Sequence, residues 1–447
     1  MKRFAIYALA LALLLSGGAL AEISNYDLGW DAPDYSYSYV LLEDGTAELT
    51  DIGSQATVIP HAVEGHTVTS IGDRALANTR ISDIEIPDTV THLGTSILGG
   101  HRVRSITIPD SVRQIDGNLF DVGVVEYGLG KSLIPELYVS PTNEYIAVLD
   151  GALYAKKEKH LIYYPPKLSW DARIGKVVIP EGIRSIGSYA FANSSIANLY
   201  LPSTLVSMDE HAFSNSFIRY IHNEGAQTEI SDYCFENCEE LVAFSIPATV
   251  TSIGEGAFRG CKSLDALLCE GAFESIGDHA FENCASLKRF DISDGIASIG
   301  VDTFKGCTNL SWVSIPSSLR EPMDTNPFAG ANNISINVTD DHPRFATLAG
   351  ILCDKIEKRI IAFPYLDATS FEVPEGIAAI GSLAFAGCSK MGSLKIPASV
   401  NYIASDAFSG CKNITLRVLP GTYGEAYAKE YGFSYDYERN DDWLFEH

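Results

Sequence analysis

Six of the nine cysteines in the sequence recur at one position of a regular pattern. A cysteine thiolate can bind zinc or attack a substrate, and two thiols can form a disulfide. Neighbouring members lie 23 residues apart in two series, which are Cys238, Cys261, Cys284 and Cys307, and then Cys388 and Cys411. This interval is too long for the Cys-x-x-Cys spacing of a zinc site, and no Cys-x-x-Cys occurs in the sequence. The cysteines therefore predict no zinc site.

Polar residues fill the same position elsewhere in the pattern. They are Thr79, His101, Ser194 and Ser216. A position that tolerates threonine, histidine and serine does not require a covalent bond, so we interpret the cysteines as buried, reduced thiols that pack as small apolar side chains. A disulfide between neighbouring repeats is the alternative interpretation.

Motifs for nucleophilic, metal or nucleotide chemistry are absent from the sequence. It contains no Gly-x-Ser-x-Gly, no His-Glu-x-x-His, no Walker loop and no Gly-x-Gly-x-x-Gly after a strand. Asp340, Asp341 and His342 could hold a metal ion, but three polar residues at the start of an insertion are more typical of a loop. Glycoside hydrolysis uses a pair of carboxylates. A sequence with 57 acidic residues always contains such pairs, so they are weak evidence for this activity. We predict no catalytic residue, metal or cofactor.

The regular pattern is an internal repeat of 22 or 23 residues, seen clearly over residues 247–269. Its unit is Pro-x-x-Val-x-x-Ile-Gly-x-x-Ala-Phe-x-x-Cys-x-x-Leu-x-x-Leu-x-Ile. A large apolar residue occupies the Ile position in twelve units, namely Ile71, Leu93, Ile115, Ile186, Met208, Ile230, Ile253, Ile276, Ile299, Met323, Ile380 and Ile403. The Phe position five residues later is also apolar throughout, as Leu76, Leu98, Phe120, Phe191, Phe213, Phe235, Phe258, Phe281, Phe304, Phe328, Phe385 and Phe408.

Each unit has room for two short strands and irregular or 3₁₀-like turns. Leu-x-Ile alternates as a half-buried strand, and the proline after it stops the strand because proline has no N–H to donate. A unit buries six aliphatic side chains at roughly 2 kcal/mol each, whereas ordering its 23 residues costs about 1–2 kcal/mol per residue. Successive units must therefore stack, which predicts a repeat solenoid of about twelve turns with mostly short parallel β-strands.

The repeat unit resembles that of the BspA-like leucine-rich-repeat family of bacterial surface and secreted proteins. The resemblance extends from about Tyr37 to Asp436, nearly the whole chain. It implies a right-handed solenoid with a parallel sheet on its concave face. It also implies a role in attachment to host proteins or to other cells.

The first residues indicate export. Basic Lys2 and Arg3 precede an apolar run over residues 4–15, and Ala19-Leu20-Ala21 follows as a cleavage site. The run is too short to span a bilayer, so we predict a signal peptide over residues 1–21 and no membrane insertion after its removal. The formal net charge of −25 repels nucleic acid and anionic lipid. We expect a secreted or cell-surface protein that binds no nucleic acid.

The ends and two insertions complete the predicted domain organisation. Residues 22–65 hold a capping hairpin with Asp44-Gly45 as its turn, and residues 421–447 hold a helical cap and an acidic tail. The solenoid covers residues 66–420 and is interrupted by matching hairpin insertions at 143–166 and 342–365. Basic residues mark the tips of the insertions, as Lys156, Lys157, Lys159 and His160, and as Lys355, Lys358 and Arg359. These are either solvated turns or contacts for acidic partners.

The residues between the buried positions of the Leu-x-Ile strand must face outward. Several large side chains fall there. They are Tyr200, Tyr220, His222, Leu268 and Trp312. Aromatic side chains anchor many protein interfaces, although isolated exposed aromatics are common on any surface. The sequence thus predicts a candidate binding strip on the concave face.

Three functions are compatible with this organisation. The first is an adhesion or binding protein for a protein or glycoprotein ligand, without enzymatic activity. The second is a structural surface spacer with no ligand. The third is a secreted carbohydrate- or peptide-active enzyme, for which export and an acidic surface are the only indications.

Overall fold

The computed structural model describes residues 37–98, 103–120, 136–165, 175–269, 273–292 and 294–438. The predicted signal peptide, residues 22–36 of the N-terminal cap and residues 439–447 of the tail lie outside this range. Within the described residues, the chain has no helix whose length and hydrophobicity would suffice to cross a membrane.

The chain forms two compact units. The first holds the chain up to Gly175 together with Pro180–Ser195 and Met208–Phe213, and the second holds Lys176–Ile179, Ile196–Ser207 and the chain from Ser214. In chain order, the strands before residue 176 are β1 (Tyr37–Leu41), β2 (Ala47–Ile52), β3 (Ala62–Val63), β4 (His66–Ile71), β5 (Asp83–Glu85), β6 (His92–Leu93), β7 (Ser105–Ile108), β8 (Gln114–Ile115), β9 (Glu136–Val139), β10 (Ile146–Leu149), β11 (Ala152–Ala155) and β12 (His160–Tyr163).

The remaining elements continue the same alternation of longer and two-residue strands. They are β13 (Val177–Val178), β14 (Ser185–Ile186), β15 (Asn198–Leu201), β16 (Ser207–Met208), β17 (Tyr220–Asn223), β18 (Glu229–Ile230), β19 (Ala243–Ile246), β20 (Ser252–Ile253), β21 (Ala266–Cys269), β22 (Ser275–Ile276), β23 (Arg289–Phe290), β24 (Ser298–Ile299), β25 (Trp312–Ile315), β26 (Ser335–Val338), β27 (Phe345–Leu348), β28 (Ile351–Asp354), β29 (Arg359–Ala362), β30 (Ser370–Glu372), β31 (Ala379–Ile380), β32 (Ser393–Lys395), β33 (Tyr402–Ile403), β34 (Thr415–Val418), α1 (Tyr423–Tyr431) and β35 (Ser434–Tyr437).

The two strands of each repeat build two parallel ladders. In the second unit, Ala243 of β19 pairs with Ala266 of β21, and Ser252 of β20 pairs with Ser275 of β22. Both pairings join residues 23 positions apart, so the sequence period is the register of the sheets. The predicted solenoid of short parallel strands is confirmed.

The solenoid has about 16 turns, whereas the repeat pattern predicts about twelve. The lower number counts only units that carry the Ile-Gly pattern. The two insertions and the terminal strands also pair with the ladder, as β12 does with β14 and β34 with β35. Hydrogen bonding between backbones does not require the side-chain pattern, so these segments continue the stack without its signature.

The phenylalanine position forms a continuous aromatic stack in the core of the second unit. Ring centroids are 5.2 Å apart between Phe235 and Phe258, 5.3 Å between Phe258 and Phe281, and 5.5 Å between Phe281 and Phe304. The planes of Phe258 and Phe281 differ by only 4°. All four side chains are fully buried. The apolar residues predicted at the Phe position therefore stack in the core here, and each ring is packed by the turns before and after it.

In the described repeats from Phe191 onward, a left-handed backbone residue follows the repeat phenylalanine by two positions. Asn193, Asn215, Asn237 and Asn283 have φ between 56° and 63°. Asparagine tolerates this conformation better than other residues with a Cβ, because its side chain bonds locally. The turn is then closed by a 3₁₀-type bond, as from the N–H of Cys284 to the carbonyl oxygen of Phe281 at 3.1 Å.

Cysteine thiols of the repeat position donate hydrogen bonds to the backbone of an earlier turn. The thiols of Cys261, Cys284 and Cys307 each donate to the carbonyl oxygen of a phenylalanine 26 residues earlier, at 3.1 Å. Burial raises the pKa of the Cys307 thiol to about 12. Eight of the nine cysteines are described as free thiols, and these include all six cysteines of the repeat position.

The two insertions are three-stranded modules rather than simple hairpins. β10, β11 and β12 form an antiparallel meander in the first module, and β27, β28 and β29 form the same meander in the second. The predicted bounds of 143–166 and 342–365 enclose all three strands of each module, one strand more than a hairpin has. The extra strand precedes a two-residue turn of positive φ, Asp150-Gly151 or Ala349-Gly350, that matches a type I′ hairpin.

The basic residues at the module tips are largely used within the fold. Lys156 donates to the carbonyl oxygen of Asn143 and Lys355 to that of His342. Lys157 lies 3.9 Å from the ring centroid of Tyr145. These contacts favour the interpretation of the tips as structural turns.

Asn143 and His342 perform the same task in the two modules. The Oδ1 atom of Asn143 accepts the N–H groups of Tyr145 and Ile146, and its Nδ2 donates to the carbonyl oxygen of Pro109. In the second module, Nδ1 of His342 accepts two backbone N–H groups, and Nε2 lies 2.9 Å from the carbonyl oxygen of Pro316. This arrangement requires a neutral imidazole with its proton on Nε2.

We expect the variant His342→Asn to lose less stability on acidification than the wild type. Burial lowers the pKa of His342. Below the ordinary histidine pKa of about 6.5, the unfolded chain therefore gains a proton that the folded chain does not, and stability falls with pH by at most about 1.4 kcal/mol per pH unit. Asparagine keeps the bonds without titrating. Urea unfolding at about pH 7 and about pH 5 measures the difference.

The reciprocal variant Asn143→His is the matched control. It should add acid sensitivity to the first module, where His160 already has a pKa lowered by burial. If His342→Asn and the wild type lose equal stability between the two pH values, His342 is not the group that titrates.

Candidate functional site

The predicted outward positions of the longer strands are the exposed ones. In β15, β19 and β25, exposed or half-buried residues alternate with buried ones along the strand. Leu199, Phe244 and Val313 point into the core, because side chains alternate across a strand. Tyr200, His222, Leu268 and Trp312 consequently lie on the outward side of the sheets.

Tyr200 and His222 form a stacked pair in the second unit. They are register partners on the neighbouring strands β15 and β17, with ring centroids 4.1 Å apart and planes 12° apart. On the β13 side of Tyr200, Nζ of Lys176 lies 4.4 Å from the ring centroid. Both faces of the Tyr200 ring are thus occupied, and the ring presents its edge and hydroxyl to solvent.

Tyr220 lies beside this pair, at the start of β17. It is the register partner of Asn198 on β15 and of Ala243 on β19, and 38% of its surface is exposed. The guanidinium of Arg219 lies 5.5 Å from its ring centroid. Tyr220 therefore combines an exposed aromatic surface with an adjacent positive charge.

Aliphatic side chains flank the aromatic residues on the same sheet. Leu268 on β21 is 61% exposed, and Val178 on β13 is 58% exposed and is the register partner of Tyr200. The repeat pattern alone does not reveal Val178, because the first module interrupts the pattern there. The Val-Val-Ile-Pro ending of residues 177–180 is the signal that could have identified the strand.

Trp312 belongs to a different sheet from the other four predicted residues. The sheet that carries Tyr200, Tyr220, His222 and Leu268 has the order β13-β15-β17-β19-β21, whereas Trp312 lies on β25 of a sheet with the order β23-β25-β26. There the guanidinium of Arg289 lies 4.4 Å from the Trp312 ring centroid and also contacts Asp291 at 3.6 Å. The predicted strip therefore consists of two groups, because hydrogen bonding along the described residues does not continue from β21 to β23.

A hydrogen-bonded serine, histidine and aspartate occur together in the first unit, although no sequence motif indicated them. The Ser70 hydroxyl lies 2.9 Å from Nδ1 of His92, and Nε2 of His92 lies 2.7 Å from Asp116. Ser70 is only 3% exposed, and its hydroxyl donates to Glu48 at 2.7 Å. A nucleophile needs an accessible hydroxyl whose proton passes to histidine, so this group is better suited to joining turns than to catalysis.

The candidate metal ligands at the second module are Asp340, Asp341 and His342. His342 is fully buried and its ring is bonded to backbone groups, as described above. Across the parts of the chain that the structure describes, no three histidine, cysteine or acidic side chains come together as metal ligands.

Comparison with known proteins gives one family match over most of the chain. The model of the "BspA type Leucine rich repeat region (6 copies)" matches residues 59–123, 169–242, 228–349 and 354–437. A search of curated proteins finds no match.

Several solved structures are similar to the chain. A leucine-rich repeat protein from Bacteroides ovatus is 19% identical with a TM-score of 0.44, covering 93% of this chain and all of its own. A leucine rich cell surface protein from Faecalibacterium prausnitzii is 22% identical with a TM-score of 0.42, covering 90% and 98%. A leucine-rich repeat protein from Eubacterium ventriosum is 18% identical with a TM-score of 0.44, covering 80% and 94%.

Proposed function

Because the chain belongs to the BspA-type leucine-rich repeat family, which is associated with surface proteins and binding, we propose that it is a secreted or cell-surface protein that binds a protein or glycoprotein ligand. The N-terminal leader pattern supports export. Leucine-rich repeat solenoids of this family are typically non-enzymatic. The proposed role is adhesion to a host surface or to another cell.

The observation that carries this proposal is the outward face of the sheet β13-β15-β17-β19-β21. Val178, Tyr220 and Leu268 expose a large part of their surface there, next to the stacked pair of Tyr200 and His222. Exposed aliphatic and aromatic side chains gathered on one rigid sheet are typical of an interaction surface. Trp312, which lies against Arg289 on the sheet β23-β25-β26, provides a second candidate contact for the ligand.

We expect the double variant Tyr200→Ala/Tyr220→Ala to weaken ligand binding by about tenfold or more, because anchoring aromatics contribute most of the energy of an interface. Trp312→Ala tests the second contact separately. The measurement is surface plasmon resonance of the full chain against a panel of purified extracellular-matrix proteins and mucins. The melting temperature should remain close to that of the wild type, since these side chains lie outside the core.

Tyr402→Ala is the matched control, because Tyr402 is a comparably exposed tyrosine on β33 of another sheet. Retention of binding in the double variant would reject this face as the site. Absence of saturable binding to every member of the panel would favour the structural spacer. Turnover in a screen of glycans and peptides would favour the enzyme.

A further inference from the structure

The outward face around β15 and β17 carries two cationic side chains, Lys176 and Arg219, although the whole chain has a formal net charge of −25. Lys176 and Arg219 each lie against a tyrosine ring, and neither forms an ion pair with a carboxylate among the described residues. His222 is exposed beside them. Glu224 follows beyond the end of β17, at the margin of this surface. Two cations without a carboxylate partner on an acidic protein favour a negatively charged ligand.

The ring geometry argues against a sugar that stacks on Tyr200. Stacking of a sugar needs a free aromatic face, whereas Lys176 and His222 cover the two faces of this ring. The groups that remain available are the tyrosine hydroxyls, the Lys176 ammonium and the Arg219 guanidinium. All of them can donate hydrogen bonds, and charge-assisted bonds to carboxylates are the strongest that such groups form.

The apolar side chains at the two ends of the sheet favour a polypeptide over a sulfated glycan. Val178 on β13 and Leu268 on β21 are more than half exposed, and a sulfated glycan has no matching apolar groups. The five strands from β13 to β21 span about 19 Å at a spacing of about 4.8 Å. An extended segment of about six residues has this length.

We propose that this face binds an extended acidic polypeptide segment that also carries apolar side chains. Lys176 and Arg219 receive its carboxylates, and Val178 and Leu268 contact its apolar residues. The proposal rests on the binding function proposed above and specifies the chemistry of the ligand.

A microarray of random peptides of about 12 residues tests the proposal with the full chain as the probe. The retained peptides should be enriched in aspartate and glutamate together with leucine, isoleucine, valine or phenylalanine. Their signal should fall as the salt concentration rises from about 0.05 to about 0.3 M, because salt screens exposed charges. The variant Lys176→Glu/Arg219→Glu should lose about tenfold or more of this signal.

The matched control is Lys358→Glu/Lys412→Glu, which changes the net charge equally at exposed lysines elsewhere in the second unit that form no ion pair with a carboxylate among the described residues. It should keep the acidic-peptide signal, and circular dichroism melting establishes that both double variants are folded. The proposal is overturned if the retained peptides show no acidic enrichment, if both double variants behave alike, or if heparin binds while no peptide is retained.

Failure of this proposal differs from failure of the binding function. If Tyr200→Ala/Tyr220→Ala loses binding to a matrix protein while Lys176→Glu/Arg219→Glu retains it, the face binds a ligand but not through carboxylates. If neither variant changes binding to any panel member or peptide, both proposals fail.

Discussion

Replacing Phe258 by alanine is expected to lower the free energy of unfolding by about 3–5 kcal/mol. The side chain is fully buried and its ring stacks between Phe235 and Phe281, with centroids 5.2 and 5.3 Å away. The missing ring would leave a cavity between Phe235 and Phe281. These two rings are held in place by their own turns, so they cannot move together to fill it. Urea unfolding followed by circular dichroism measures the loss.

Phe258→Leu provides the matched control, since leucine occupies the same repeat position in the first unit at Leu76 and Leu98. It retains most of the buried volume and should cost clearly less than the alanine variant. A loss below about 1 kcal/mol for Phe258→Ala would mean that the turns collapse around the cavity and that the aromatic stack is not a rigid spine.

The second large effect is expected from Arg344→Ala, at about 3–5 kcal/mol of lost stability. The Asp354 carboxylate is completely buried, and Nε of Arg344 donates to it at 2.6 Å. Removing the guanidinium leaves a charge in the interior, and its remaining hydrogen-bond partners among the described residues are the backbone N–H groups of Ile356 and Glu357. Urea unfolding at neutral pH measures this change.

The first module supplies the control for this pair. Tyr145 and Ala155 stand there in the places of Arg344 and Asp354, because Ile146 pairs with Ala155 as Phe345 pairs with Asp354. We therefore expect Arg344→Tyr/Asp354→Ala to recover most of the stability that Arg344→Ala loses, since an uncharged pair replaces the ion pair. A double variant as unstable as the single one would show that the buried charge is not the cause.

The repeat register predicted most of the fold, because in a stacked chain one period sets several features at once. The interval of 23 residues between Cys261 and Cys284 is also the pairing register of β20 with β22 and the spacing of the stacked rings. The alternation of Leu199 and Tyr200 likewise predicted which side chains face outward. The signal is strong because every repeat samples the same environment.

Contacts that do not repeat were beyond sequence reasoning. Asn143 and His342 form equivalent hydrogen bonds to the backbone although their side chains differ. Each side chain places one acceptor and one donor at similar positions. Ser70, His92 and Asp116 are hydrogen-bonded although they lie 22 or 24 positions apart in the sequence. They become neighbours only when successive turns of the solenoid stack. Trp312 was grouped with Tyr200 because a linear pattern does not reveal where one sheet ends.

The regularly spaced buried cysteines allow local opening of the solenoid to be measured at successive turns. Each of Cys261, Cys284 and Cys307 is buried, with its thiol bonded to a phenylalanine carbonyl of an earlier turn. A bulky alkylating reagent can reach such a sulfur atom only after the adjoining turns separate, so labelling rates translate into opening free energies. Cys411 is partly exposed, so its labelling rate is the reference for a thiol that the reagent reaches most easily. Mass spectrometry of labelled peptides could thus map cooperativity along the unmodified chain, repeat by repeat.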